Sequence, residues 1–125
     1  ENIVPRVQNA EEFARKSRVL LLKHEPSNTD IDISLGVLPF EEEMVERGET
    51  KTFANLSVRL PTPEDLIIMK AIAHRPKDFE DIRTLVDKYP DLDQVRIEQW
   101  VRDFAKALET PELWGQIEKI LKQQE

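Results

Sequence analysis

Short alternating runs of apolar and polar residues fill the first sixty positions, and this pattern is typical of strands. Val19–Leu22 is continuously apolar, so we expect a strand over Arg18–His24 that is covered on both faces. Residues 30–35 place two acids and a serine on one side and Ile and Leu on the other, which predicts a half-buried strand. Glu25–Asn28 has the composition of a turn, and the two strands are therefore expected to form an antiparallel hairpin.

Two short helices and a third strand complete the prediction for this half of the chain. Asn9, followed by two glutamates, is expected to cap a helix that ends near Ser17. A second helix is predicted over Pro39–Arg47, and Gly48 stops it. The alternation over Lys51–Leu60 predicts the third strand, whereas residues 1–8 show neither period and are interpreted as an irregular leading segment.

Beyond Leu60 the apolar residues recur at helical spacing. Thr62 and Pro63, followed by two acids, form a strong helix start. Four helices are predicted, over Asp65–His74, Pro76–Tyr89, Asp93–Glu109 and Pro111–Lys122. The expected fold is therefore α+β, with about three mostly antiparallel strands followed by a bundle of about four helices. Residues 1–60 and 61–125 are expected to be two regions of one structural domain.

Composition and charge exclude several classes of function. The 125 residues contain no Cys, which excludes a disulfide scaffold, a Cys-ligated zinc site and thiol catalysis. The net charge of −7 argues against a broad nucleic-acid-binding surface, although it leaves room for a local basic cleft. No apolar run approaches the roughly 18 residues that a membrane span needs. A cytoplasmic protein with no membrane partner is expected.

Asp30 and Asp32 are the first candidate for chemistry. Residues two apart on a strand project from the same face, so both carboxylates are expected on one side of the sheet. Two carboxylates on a rigid strand can bind Mg²⁺, which makes both residues candidate metal ligands. They can equally be ordinary solvent-facing residues of an amphipathic strand, and the spacing alone favours that interpretation.

The second candidate is a group of charged residues around the junction between the first two predicted helices of the bundle. Lys70 lies in a segment that is otherwise apolar, so its ammonium either reaches the edge of the helix or meets an anion in a cleft. Arg75 and Lys77 lie where a helix N-terminus also favours an anion. Asp78 and Asp81 share a helix face; capping by Asp78 and a Lys77–Asp81 pair would explain them without any ligand.

Read together, these segments resemble a known family. Phe13–Leu22, Asp32–Gly36 and Leu38–Glu43 resemble the later part of a bacterial nucleotidyltransferase-fold domain. Pro63–Leu66, Lys70 and the run Arg-Pro-Lys-Asp-Phe-Glu-Asp at 75–81 resemble the helical segment that follows it. The resemblance covers residues 6 to 88 and extends to toxin-like nucleotidyltransferases of the abortive-infection type, which implies a possible antitoxin partner.

The resemblance assigns roles to the candidate residues. Asp32 would be the catalytic carboxylate that holds divalent metal, expected to be Mg²⁺, and helps to activate the acceptor hydroxyl. Asp30 matches no acid of the family, so it is a candidate metal ligand by position only. The resemblance also implies five nucleotide-binding residues. Lys70, Arg75 and Lys77 would contact the phosphates of the NTP, and Asp78 and Asp81 would position them or the base. The acceptor could be a tRNA end, a protein hydroxyl or a small molecule.

One feature of the family is absent from this sequence. The family's first motif is a Gly-Gly or Gly-Ser turn followed by an Asp-x-Asp pair, and no Gly precedes Asp30. The chain by itself is therefore expected to catalyse poorly, and the alternative is a degenerate, non-catalytic module that binds a nucleotide or another protein. An open strand edge is also expected, through which two copies could form a homodimer.

Overall fold

In the computed structural model, which describes residues 2–36 and 38–123, antiparallel strands precede a set of helices. These residues contain five strands, in sheets of three and two, and six helices, so the predicted α+β class is confirmed. The chain divides into two compact units, Glu1–Glu42 and Glu43–Glu125, and each is described by itself. The division into regions 1–60 and 61–125 of one domain stays a prediction.

The first unit contains a three-stranded antiparallel sheet in the order β1-β2-β3. The predicted hairpin is confirmed, with β2 over Val19–His24 and β3 over Thr29–Ser34. β2 is the central strand, and each of its six residues is half-buried. β1, over Ile3–Pro5, was missed because three residues are too few to show a period; pairing with β2 makes them a strand.

Helix α1, over Ala10–Ser17, has the predicted bounds but lacks the predicted side-chain cap. Asn9 has a φ of 54°, and its side chain makes no capping hydrogen bond, so the predicted cap is wrong. Asparagine is among the few residues that adopt this left-handed conformation readily, which explains its presence there. Helix α2, over Pro39–Arg47, agrees with the prediction and runs from the first unit into the second.

The segment predicted as a single strand over Lys51–Leu60 is a hairpin. β4 covers Glu49–Phe53, β5 covers Leu56–Leu60, and the two pair antiparallel through a connection of two residues. Such a short connection hardly interrupts an alternating pattern, and it lacks the Gly that usually marks one. Three predicted strands therefore become five.

The connection in this hairpin predicts a stabilising substitution. Ala54 has a φ of 53°, a conformation that costs a residue with a Cβ roughly 1 kcal/mol. We expect Ala54→Gly to raise the melting temperature by a few degrees, because glycine adopts this conformation without strain. Thermal unfolding followed by circular dichroism checks this; an unchanged or lower melting temperature would show that the strain is not significant.

Four helices complete the second unit, and all four were predicted within three residues at each end. They are α3 over Pro63–Ala73, α4 over Pro76–Lys88, α5 over Gln94–Ala107 and α6 over Leu113–Lys122. As predicted, Thr62 caps α3, accepting the backbone N–H of Asp65 at 3.2 Å. The core is formed mainly by buried branched residues: Ile67, Ile68, Ile82, Ile97, Val101, Leu113 and Ile117. None of the described helices is long and apolar enough to cross a membrane.

Candidate functional site

The predicted nucleotide-binding residues lie together at the junction of α3 and α4. Lys70 projects from the last turns of α3, and its Nζ lies 2.8 Å from Oδ2 of Asp81 on α4. The same Nζ lies 3.9 Å from Oδ1 of Asp78. Lys70 is half-buried, and its ammonium pairs with carboxylates instead of facing only solvent. Those carboxylates belong to the next helix.

Asp78 anchors the beginning of α4. Its carboxylate is buried, only 1% exposed, and accepts the backbone N–H of Arg75 at 3.1 Å. It also accepts from the Arg75 guanidinium, with Nε to Oδ2 at 2.7 Å and Nη2 to Oδ1 at 3.2 Å. The predicted capping by Asp78 is confirmed. The fork geometry fixes the guanidinium plane while 60% of the Arg75 side chain stays exposed.

These contacts determine the electrostatics of the pair. The side-chain hydrogen bond from Arg75 lowers the pKa of Asp78 below its ordinary value, against the opposing effect of burial. The backbone N–H of Arg75 and the charges of Arg75 and Lys70 act in the same direction. The same hydrogen bond raises the pKa of Arg75. Asp78 is therefore an anion at neutral pH.

Lys77 differs from its neighbours because it is exposed and makes no ion pair with any residue of 2–36 or 38–123. The alternative Lys77–Asp81 helix pair is wrong, since Asp81 is bound by Lys70 instead. Among the five predicted residues, three cationic side chains and two carboxylates leave one excess positive charge, close to the start of the thirteen-residue helix α4. This junction cluster, Lys70, Arg75, Lys77, Asp78 and Asp81, can therefore attract an anion such as a phosphate.

The other predicted site residues lie in the first unit, on β3. The register pairs Asp30 with Lys23 and Asp32 with Leu21, so both carboxylates share one face of the sheet as predicted. Arg6 bonds both of them: its Nη1 lies 3.1 Å from Oδ2 of Asp30, and its Nη2 donates to Oδ1 of Asp32. Lys23 Nζ lies 3.6 Å from Oδ1 of Asp30.

This arrangement does not fit a magnesium site. Within the described part of the chain there is no group of three or more side chains of the types that ligate metals. Asp30 and Asp32 are the two carboxylates available, and two cationic side chains already neutralise them. Magnesium binding at Asp30 and Asp32 stays a prediction, and no chemical step of this chain is derived through it.

Sequence reasoning missed the most deeply buried charged group, Asp65 on α3. Its side chain has no exposed surface; Oδ1 accepts from Arg96 Nε at 2.7 Å, and Oδ2 accepts from Arg47 Nε at 3.4 Å. Arg96 Nη1 also lies 3.8 Å from Oε1 of Glu43. These four residues, the buried ion network, connect α2, α3 and α5. The one local signal for it was the position of Asp65 directly before the apolar run 66–69, after a Thr-Pro helix start.

An α+β chain with a cationic cluster at a helix junction and an acidic pair on a strand is compatible with a phosphate-handling protein. Comparison with known families makes this more specific. The chain belongs to the family described as nucleotidyl transferase of unknown function (DUF2204), whose model matches residues 29–119. That match covers β3, the hairpin β4–β5 and the helices α2 to α5 completely.

The expected membership of a nucleotidyltransferase family is thereby confirmed. The abortive-infection branch, a bacterial source, the antitoxin partner and the homodimer stay predictions. No curated protein matches this chain.

Proposed function

We propose that this chain carries the phosphate-binding part of a nucleotidyltransferase, which transfers a nucleotide from an NTP to an acceptor hydroxyl. The observation that carries the proposal is the junction cluster, which lies within the segment matched by the family. Three cationic residues lie at this junction, and Lys77 makes no ion pair with the described residues. An NTP at neutral pH carries several negative charges, so it is the ligand that such a cluster attracts.

The three cations would have different tasks. Lys77 is exposed and free to approach a phosphate directly. The Arg75 guanidinium is held in one plane by Asp78, so it can meet phosphate oxygens without losing further side-chain entropy. Lys70 is held by Asp81 and would add positive charge to the site. Asp78 and Asp81 would thus position the cations.

The proposed reaction is the transfer of a nucleotide from an NTP to a hydroxyl group. The acceptor hydroxyl oxygen forms a bond to the α-phosphorus, the bond from that phosphorus to the bridging oxygen of the β-phosphate breaks, and pyrophosphate leaves. The hydroxyl proton passes to a base. Negative charge develops on the phosphate oxygens, and fixed cations stabilise it. Magnesium would supply further charge neutralisation when bound.

Lys77→Ala is the cleanest test of this phosphate site. We expect NTP binding to weaken about tenfold, the effect of removing one charge-assisted contact. The melting temperature should not change, because Lys77 makes no ion pair with the described residues. Isothermal titration with ATP, GTP, CTP and UTP, with and without Mg²⁺, measures the first effect, and circular dichroism the second.

Lys106→Ala is the matched control, since Lys106 is also exposed on a helix and has no ion pair among the described residues. Unchanged binding in this variant would show that the loss is specific to the junction cluster. If the wild-type chain binds no NTP, or if Lys77→Ala binds as tightly as wild type, the phosphate site is wrong.

A second candidate function is a nucleotide-binding module without catalysis. The observation that favours it is the neutralisation of Asp30 and Asp32 by Arg6 and Lys23. NTP binding without release of pyrophosphate would support this alternative. Pyrophosphate release by the full-length protein that is lost in Asp32→Ala would exclude it and assign the catalytic role to Asp32.

A further inference from the structure

Arg6 lies in register with the acidic pair of the first unit. Its backbone N–H donates to the carbonyl of Leu21 at 3.1 Å, which extends the β1–β2 pairing by one residue. Leu21 is opposite Asp32 on β3. Residues opposite one another in an antiparallel sheet project from the same face. Arg6, Leu21 and Asp32 therefore form a row across the sheet, and the Arg6 side chain crosses β2 to reach β3.

A second row on the same face contains one further cation and the other acid. Lys23 lies two residues beyond Leu21 and is opposite Asp30. Lys23 Nζ approaches Asp30, while the two terminal nitrogens of Arg6 divide between Asp30 and Asp32. Two positive and two negative side chains thus form one group of ion pairs on this face of the sheet.

The geometry makes Arg6 a competitor for any dication at this position. A guanidinium is planar, keeps its charge at every pH at which proteins fold, and can present a separate nitrogen to each carboxylate. Arg6 places one nitrogen on each carboxylate, so a divalent cation that used both carboxylates would have to compete with the guanidinium. Arg6 Nε is buried and has no hydrogen-bond partner among the described residues, so the carboxylates are what hold the guanidinium in place.

We infer that Arg6 is the resident cation of the Asp30–Asp32 pair and excludes divalent metal from it. The inference rests on the proposed function only in taking Asp32 as the candidate metal ligand. Arg6 then determines what the acidic pair can bind. While Arg6 is paired with the two carboxylates, their charge is neutralised, and a metal ion must displace the guanidinium in order to bind. Arg6 is in this sense a positioning residue, because it acts on a ligand site through the carboxylates.

Titration with Mn²⁺, followed by the loss of its free-ion electron paramagnetic resonance signal, tests the inference. The wild-type chain is expected to show no saturable binding. Arg6→Gln removes the bridging cation, and we expect saturable Mn²⁺ binding to appear, at least about tenfold tighter than the weakest binding that the wild-type titration could detect. In Arg6→Gln/Asp32→Asn that gain should disappear, which locates the metal at Asp32. Arg15→Gln is the matched control, because Arg15 pairs with Glu11 on α1 and has the same charge.

Arg6→Lys keeps the test decisive if Arg6→Gln fails to fold. A single ammonium cannot place one nitrogen on each carboxylate, so a several-fold gain in Mn²⁺ affinity is expected. Saturable binding by the wild type that Asp32→Asn abolishes would overturn the inference, and so would folded Arg6 variants that gain no affinity. NTP binding at the junction cluster is measured separately, so a failure of the proposed function would be distinguishable from a failure here.

Discussion

Asp65→Asn is expected to destabilise the protein by about 3–5 kcal/mol, a large part of the about 5–15 kcal/mol that stabilises a typical domain. The carboxylate is completely buried and accepts a 2.7 Å bond from Arg96. Replacing it with a neutral amide of the same shape leaves the charge of Arg96 without its principal anion. Arg96 is itself only 12% exposed, so water cannot compensate fully. Urea unfolding followed by circular dichroism measures the loss.

Asp103→Asn is the matched control for this effect. Asp103 is an exposed acid on α5 and makes no ion pair with the described residues. Its substitution should change the free energy of unfolding by less than about 0.5 kcal/mol. An equally small change in Asp65→Asn would show that the buried ion network does not stabilise the second unit.

The double variant Asp65→Leu/Arg96→Met separates the charge from the packing. Removing both partners leaves no buried charge in this network, since Arg47 is 39% exposed, and apolar replacements of buried ion pairs are often neutral. We therefore expect the double variant to regain most of the stability that Asp65→Asn loses. If it is instead as unstable as the single variant, the network contributes through its hydrogen-bond geometry and not through compensation of a buried charge.

The parts of the fold that could be predicted are those with local chemical signals. Thr62 and Pro63 define the start of α3 within three residues, because a hydroxyl cap and a proline act on adjacent backbone groups. The hairpin β2–β3 was predictable from two apolar patterns and a turn. β1 was not, because Ile3–Pro5 becomes a strand only through its pairing with His24, Lys23 and Leu22.

In the candidate site, too, the features with local sequence signals could be predicted and the long-range contacts could not. Asp30 and Asp32 were placed on one face correctly, because the period of a strand is a local property. Their partner Arg6 lies 26 residues before Asp32, and no periodicity connects the two. Asp65 and Arg96 are 31 residues apart, so the buried ion network was equally invisible. The close sequence spacing of the junction cluster made it recognisable as a group, although the Lys70–Asp81 contact between helices was not predicted.

Asp78→Asn is expected to lower the melting temperature by roughly 5–10 °C at neutral pH. The asparagine can still accept the backbone N–H of Arg75, so α4 keeps its cap, but the charge that binds the guanidinium and faces Lys70 is lost. Asp91→Asn is the control, since Asp91 is exposed and unpaired among the described residues. Its melting temperature should equal that of the wild type.

The pH dependence of this difference identifies its cause. The Arg75 hydrogen bond lowers the pKa of folded Asp78, so the folded protein binds a proton there less readily than the unfolded chain does. The stabilisation is therefore complete above the pKa of an unfolded aspartate, about 3.9, and is lost as the pH falls through the lower pKa of the folded state. The difference between wild type and Asp78→Asn should be constant from pH 7 to about pH 5 and should shrink below about pH 4. A difference that persists unchanged in acid would mean that Asp78 acts through packing, and the ion pair with Arg75 would then not hold the guanidinium for phosphate.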